Sequence, residues 1–501
     1  MNFLALDLET EIAAQEPKIA ALLSRYEPRS ITLSWLQTLR AVEECINLVT
    51  VDWDEESADT IFEMRVADLA VDIAPLTAVH SLLSERFTAN FAARFHRLAL
   101  SLSAMAHSFA NHGHMDVLFG AQTVGSLIGY LQSRRRHFVA LLHHLPNVCR
   151  GKEIVATLDA LAVCLPAVEL FGVQMMGAQN MLNVQEARAR LGLEPDFAQE
   201  LPMLDALCLE PERLRIDETC ASPAIAARLQ ASVERLANDR LFSAAELRND
   251  ILASETAYEE FGLAETSFAQ AADVVRRISR SHVDKDFWVE ISPTQLDRLL
   301  DAVAAPQALR NALTHGAKSY MSCLATYAPL VRLGNGYRSS VTLLSRFLYH
   351  WRAVCLERQR RYQIRAGFLF EKAVIDALAR QGFVYQEITR IDHKEFDVIT
   401  VRDGVIWNMQ CKNNFTDLAR VDCHAKRYAR YNAGLVRSYE RALTKERNRE
   451  HLVTGKLGIA EIEHMIVARF PIVSDNGRLV PFSRIDHFAQ LADTLRTENS
   501  M

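Results

Sequence analysis

Apolar residues recur at three- and four-residue steps through most of the first 350 positions, as in AALLSRY, VADLAVDIAPLTAVHSLLSERF, PAIAARLQASVERLANDRL and PTQLDRLLDAVAA. That spacing gathers apolar side chains on one side of a helix, so it predicts helix after helix. Proline and glycine punctuate the pattern at Pro146, Gly151, Pro202, Pro211 and Gly334-Asn335-Gly336. No repeat of fixed period supports a solenoid. After about residue 365 the period changes. A helix from Gly367 to about Gln381 gives way to short alternating runs at Phe383–Arg390, Glu395–Arg402 and Val405–Lys412, with Asp403-Gly404 as a tight hairpin turn. A basic helical stretch over about Leu418–Glu450 precedes a buried strand at Met465-Ile466-Val467-Ala468, and the tail after Phe482 is again helical. The pattern predicts a multidomain chain. A large all-α N-terminal region (1–350, one or two subdomains) leads through a basic linker helix (351–365) to an α/β domain (366–475) and a C-terminal tail (476–501).

Composition changes this picture in two ways. At 501 residues, 49% hydrophobic and 24% charged, the chain has an ordinary globular make-up and room for two or three cores. Its net charge of −6 is uneven: residues 351–450 hold 20 Lys/Arg against 13 Asp/Glu, a balance of +7, which leaves −13 for the rest. A basic segment in an acidic protein points to a localised surface for a polyanion. The N-terminus lacks a basic start and a small-residue cleavage site, and nine cysteines are scattered without CxxC pairs, so a cytoplasmic protein with reduced thiols is expected. Ile154–Met176 is strongly apolar but is interrupted by Asp159, Pro166 and Glu169, which suits a buried helix better than a membrane span.

The chemistry concentrates around Glu395-Phe396-Asp397-Val398-Ile399 and Asn408-Met409-Gln410-Cys411-Lys412-Asn413. Alternation along a strand sends Val405, Trp407, Met409 and Cys411 to one face, and Ile406, Asn408, Gln410 and Lys412 to the other. A lysine and an amide there need partners, and the hairpin brings Asp397 across to meet them. Glu371 lies on its helix in line with Phe368, Val374, Ile375 and Leu378, an apolar stripe on which a carboxylate needs a partner or a shared metal. Phosphodiester hydrolysis calls for a hard cation such as Mg²⁺ or Mn²⁺, which takes oxygen ligands. Asp397 and Glu371 offer carboxylates, Gln410 an amide oxygen and Cys411 its backbone carbonyl. Lys412 can stabilise charge on the phosphate.

This order, Glu in a helix, Asp in a second strand and Gln-x-Lys in a third, resembles the PD-(D/E)XK, or restriction-endonuclease-like, nucleases, in a QxK form similar to the Mrr-type restriction enzymes. The resemblance covers about Ala366–Ile472. It implies a mixed sheet flanked by helices and a Mg²⁺-dependent DNA endonuclease, with Glu371, Asp397, Gln410 and Lys412 as catalytic residues and a restriction or anti-phage defence role. No proline precedes Asp397, and glutamine replaces the second acid of the motif.

Arg420, Arg427, Arg430, Arg437, Arg441 and Lys445 recur on one side of the following helix, with Tyr428, Tyr431 and Tyr439 among them, and form an expected DNA-contacting stripe. Arg358, Arg360, Arg361 and Arg365 could extend it. Arg310 and His315 resemble the RxxxxH motif of HEPN ribonucleases, which makes a metal-independent RNase acting on RNA the rival expectation; a non-catalytic nucleic-acid-binding scaffold is the third. Phe3–Thr10 imitates an exonuclease motif but runs into a helical sequence. His107, His112, His114 and Asp116 match no standard zinc spacing, and Arg134-Arg135-Arg136-His137 is expected as a solvated face. No phosphate-binding glycine loop is present. The sequence leaves open a protein partner for the helical region and a homo-oligomeric state.

Overall fold

The computed structural model describes residues 7–114, 122–194, 239–316, 318–414 and 421–499, with a few positions between 227 and 234. It divides into two compact units: Met1–Met176 with Ala221–Leu356, and Gly177–Cys220 with Glu357–Met501.

Helices dominate the first unit, and local chemistry sets their starts. Ser292 accepts a hydrogen bond from the Gln295 N–H at 3.3 Å while Gln295 Oε1 accepts from the Ser292 N–H at 2.9 Å, and Pro293 takes the first helical position, opening Pro293–Ala302. Asp7 caps Leu8–Leu23 through the Thr10 N–H, so Asp7–Thr10 of the exonuclease-like stretch form a helix N-terminus, while Phe3–Leu6 lie outside the described residues. Pro28–Ile46 is buried along most of its length. Trp35 at its centre stands edge-on to Phe138 and donates its Nε1–H to the Phe138 carbonyl at 3.0 Å.

Two expectations for this region need correction. It is not all-α: β1 (Val283–Asp284), β2 (Trp288–Ile291), β3 (Val331–Leu333) and β4 (Gly336–Ser340) form an antiparallel sheet in the order β1-β2-β4-β3. Gly334-Asn335-Gly336 does not separate helices; it turns the chain between β3 and β4, with Leu333 paired to Gly336. Nor is Arg134–His137 a solvated face. Arg134 and Arg135 pair with Glu169 and Glu43 at 2.7 Å each, Arg136 donates to the Leu324 carbonyl, and His137 is buried. Glu169 thereby finds partners inside the protein, with Tyr130 as a further donor. Ala160–Leu191 is the one described helical stretch long and apolar enough to cross a membrane, and 56% of its apolar window is buried.

No single helix covers 351–365. Val341–Leu356 ends with the first unit, and Arg360–Ala379 opens after an extended Gln359. In the second unit β5 (Val384–Gln386), β8 (Val398–Arg402), β9 (Val405–Lys412), β10 (Ile462–Ala468) and β11 (Leu479–Pro481) make a mixed sheet. Their order is β11-β10-β9-β8-β5, antiparallel across β5/β8/β9 and parallel across β9/β10/β11. A two-stranded hairpin, β6 (Arg390–Ile391) and β7 (Lys394–Glu395), takes the end of the stretch expected as one strand, Phe383–Arg390.

On one face of this sheet Phe370, Val374 and Leu378 pack with Val405, Trp407, Met409, Met465 and Val467. Phe488, Ala492 and Leu495 of the Phe488–Asn499 helix join the same core, so residues 476–501 are part of the unit and not an appended tail. On the other face Ala425–Arg447 sets Tyr428, Val436, Tyr439 and Leu443 against Ile466, Ala468 and Phe470, together with Val184 and Ala187. Asn183 ties that earlier segment to the unit by donating to the Asp422 carbonyl at 2.7 Å.

Candidate active site

The site grows from the β8–β9 hairpin. Asp403 and Gly404 both take positive φ, +52° and +78°, the backbone that a two-residue turn between right-twisted strands requires, and Arg402 pairs with Val405. From there the register runs Val398↔Met409, and one further step sets Asp397 opposite Gln410. Asp397 stands in a bend just ahead of β8 rather than within the strand. Its Oδ2 accepts a hydrogen bond from the Cys411 N–H at 2.8 Å, which fixes the carboxylate over the end of β9. Val405, Trp407 and Met409 enter the core and Cys411 packs at its edge, while Asn408 faces the polar side, as the alternation predicts.

Glu371 reaches the same end from the Arg360–Ala379 helix, although not from the stripe assigned above. Phe368 is 60% exposed, and the buried side runs through Tyr362, Ala366, Phe370, Val374, Ala377 and Leu378. Glu371 is half-buried at the edge of that side. Burial, then the charges of Asp397 and Glu395, push its carboxyl up to about 7. Asp397 is also held above the usual range, chiefly by burial, with the Cys411 N–H and Lys412 pulling the other way. Burial lowers Lys412 despite Asp397 beside it, and drives the Cys411 thiol well up, so sulfur is a poor ligand here. Gln410 Oε1 is buried with no hydrogen-bond partner, an expensive state for an amide oxygen.

Glu371 therefore acts on Asp397 and Asp397 on Lys412 at one strand end, where β9 also carries Gln410 with its orphaned amide oxygen. Among the described residues no three His, Cys, Asp or Glu side chains gather as a metal-binding group. The donors here are two acids and neutral oxygens, a set that suits a small hard dication more than zinc.

Sequence reasoning missed the groups behind the site. Asn408 Nδ2 donates to Glu446 Oε2 at 3.1 Å and lies 3.0 Å from His464 Nδ1, while Arg449 clasps Glu446. The charge of the buried Glu446 acts on both Asp397 and Lys412, adding to the upward shift of the first and opposing the downward shift of the second. Its signal was present: Glu446 continues the buried line Tyr439–Leu443 by three residues.

Along Ala425–Arg447 the residues Arg427, Arg430, Arg437, Arg441 and Lys445 are exposed on one side, as expected, and the Lys445 charge acts on Lys412 at the site end. Arg420 lies outside the described residues. Tyr428 and Tyr439 are core residues, so neither is available to stack on a base. Arg358, Arg360, Arg361 and Arg365 are exposed.

The RxxxxH residues have other engagements. Their helix, Gln307–Leu313, ends before His315. Arg310 is held by Asp301 at 2.6 Å and the Ala305 carbonyl at 3.0 Å, while the His315 ring stands edge-on to His143, and burial lowers its pKa. His107 and His112 bond to carbonyls one turn back in their own helix, and Asp116 lies outside the described residues. Compared with known proteins, the chain matches no family model, no curated protein and no solved structure.

Proposed function

We propose that the second unit is a restriction-endonuclease-like domain whose site hydrolyses phosphodiester bonds in DNA with the help of Mg²⁺ or Mn²⁺. The observation that carries this reading is the electrostatic coupling of Glu371 to Asp397 and of Asp397 to Lys412 at the end of β9, the strand that also carries the unpartnered Gln410 Oε1. The mixed five-stranded sheet between helices supports the fold assignment.

Asp397, Glu371, Gln410 Oε1 and the Cys411 backbone carbonyl would hold the cation. When bound, it supplies charge neutralisation at the scissile phosphate and acidifies a coordinated water. The chain's own part follows from its electrostatics. The Cys411 N–H keeps Asp397 aimed at the strand end. Lys412, its ammonium made more acidic by burial, offsets charge building on the phosphoryl oxygens and is poised to exchange a proton with the attacking water. The exposed arginines of Ala425–Arg447 neutralise backbone phosphates leading to the site.

The test sets the full-length protein against plasmid DNA and against RNA, each with Mg²⁺ and with EDTA. Nicking of DNA in Mg²⁺ that stops in EDTA is the expected result. RNA cleavage that persists in EDTA and disappears in His315→Ala would replace this reading with the ribonuclease one.

A further inference from the structure

We propose that the first unit carries a second ligand site, independent of the nuclease reading: a pocket for a mononucleotide, gripped through its phosphate by Arg97 and Lys285 and through its base by Trp288. The pocket is a cavity of about 220 Å³ between Pro28–Ile46, Ala89–Asn111, the Thr157–Leu158 segment and the β1–β2 turn. Four cations line it: Arg40, Arg94, Arg97 and Lys285.

Their charge is not matched from within. One carboxylate, the buried Glu44, serves two guanidinium groups, bonding Arg94 at 2.6 and 2.7 Å and Arg40 at 2.9 Å. Asp286 also attracts Arg40 but is itself bound by Arg240 and by the Ala244 N–H. Among the described residues neither Arg97 nor Lys285 has a carboxylate within ion-pair distance, and both are exposed at the rim. The walls therefore keep an excess of positive charge facing a concave, partly desolvated space, where an anion is held more strongly than on open surface. Burial lowers the Arg40 pKa, with Glu44 opposing that shift and Arg94 adding to it.

The rest of the lining selects the class of anion. Arg40 lies over the Phe287 ring at 4.4 Å and the Trp288 ring at 5.9 Å, which holds its guanidinium in place as a fixed donor. Trp288 and Leu98, Leu158 and Leu161 add an apolar wall, and Leu158 is left 62% exposed. A free phosphate would leave that wall unused, whereas a planar base would cover it. The β1–β2 turn is built to present its lysine. Lys285 and Asp286 both take positive φ, and the Phe287 N–H closes the turn on the Asp284 carbonyl at 3.1 Å. The volume lies below the usual range of about 300–1,000 Å³ for drug-sized pockets, so the cavity takes the base and leaves the phosphate outside it at the rim, beside Arg97 and Lys285.

Calorimetric titration of the full-length protein in EDTA, which keeps divalent cations from the second unit, tests the site with AMP, ATP, adenosine, inorganic phosphate and an oligothymidylate. AMP or ATP is expected to bind, with adenosine and inorganic phosphate each at least about tenfold weaker. Arg97→Glu and Lys285→Glu change exposed side chains and should each weaken nucleotide binding about tenfold or more. Trp288→Ala should erase the advantage of the nucleotide over phosphate. Absence of nucleotide binding overturns the proposal, as does binding indifferent to Arg97→Glu and Lys285→Glu. Phosphate binding as tightly as AMP removes the base-binding wall, and displacement of AMP by the oligothymidylate makes the pocket a polynucleotide surface instead.

Discussion

Gln410 is where the site departs most from a two-acid arrangement, and its buried Oε1 has no partner of its own. A cation ligated there would satisfy it. Gln410→Glu adds a negative charge to that position, and the Mg²⁺ concentration giving half-maximal cleavage should fall; Gln410→Leu should raise it. An unchanged metal dependence in both variants would remove Gln410 from the ligand set. Asp397 and Lys412 could be placed from sequence because strand alternation and a turn signal fix cross-strand neighbours within one residue. Glu371 was harder to place. Its helix turns a side through Phe370 and Val374 inward, and that choice rests on which neighbours the helix packs against. Three buried histidines, His137, His143 and His144, make the first unit sensitive to acid. Burial pushes His143 down to about 4, against a solution value near 6.5, with His315 adding to the shift. Between those values the unfolded chain binds a proton that the folded one does not, so folding stability falls as pH drops from about 6.5 toward 4. Thermal melts at pH 7.5 and 5 should show this loss, and His143→Gln should shrink it.

At the scale of elements, two helices carry separate predictions. Arg437 and Arg441 project from the outer side of Ala425–Arg447 without contributing to its buried side. Arg437→Glu with Arg441→Glu should weaken DNA binding and reduce its salt dependence by about two in log–log slope, while leaving the melting temperature nearly unchanged. A slope identical to the parent's would mean that DNA approaches from another side. Phe488–Asn499 falls in the stretch expected as a C-terminal tail. Yet Phe488 is fully buried against Phe383 and Trp407, so Phe488→Ala should cost about 3–5 kcal/mol in denaturant unfolding of the second unit. The long amphipathic helices and the β8–β9 hairpin were legible because their periods extend over many residues. β1 to β4 were not, since strands of two to five residues show too few alternations to stand out among helices, and the one clear sign, Gly334-Asn335-Gly336, also reads as a helix break.

For the whole molecule, the charge asymmetry of the sequence finds a physical basis: the basic segment supplies the exposed side of one helix and the lysine of the candidate site, both in the second unit. The division of the chain was less visible. Residues from Gly177 onward carry the helical period of the first region, but Val184 and Ala187 pack with Tyr428 and Ile466 in the second. Periodicity tells which side of a helix is buried and says nothing about the partner that buries it. The proposed roles of Asp397 and Lys412 in metal-dependent cleavage are measured by nicking of supercoiled plasmid in Mg²⁺. Wild type is compared with Asp397→Ala and Lys412→Ala, after circular dichroism shows all three folded. Rates lower by about a hundredfold or more are expected in both variants; nicking by either variant at the wild-type rate would exclude that residue from the chemistry.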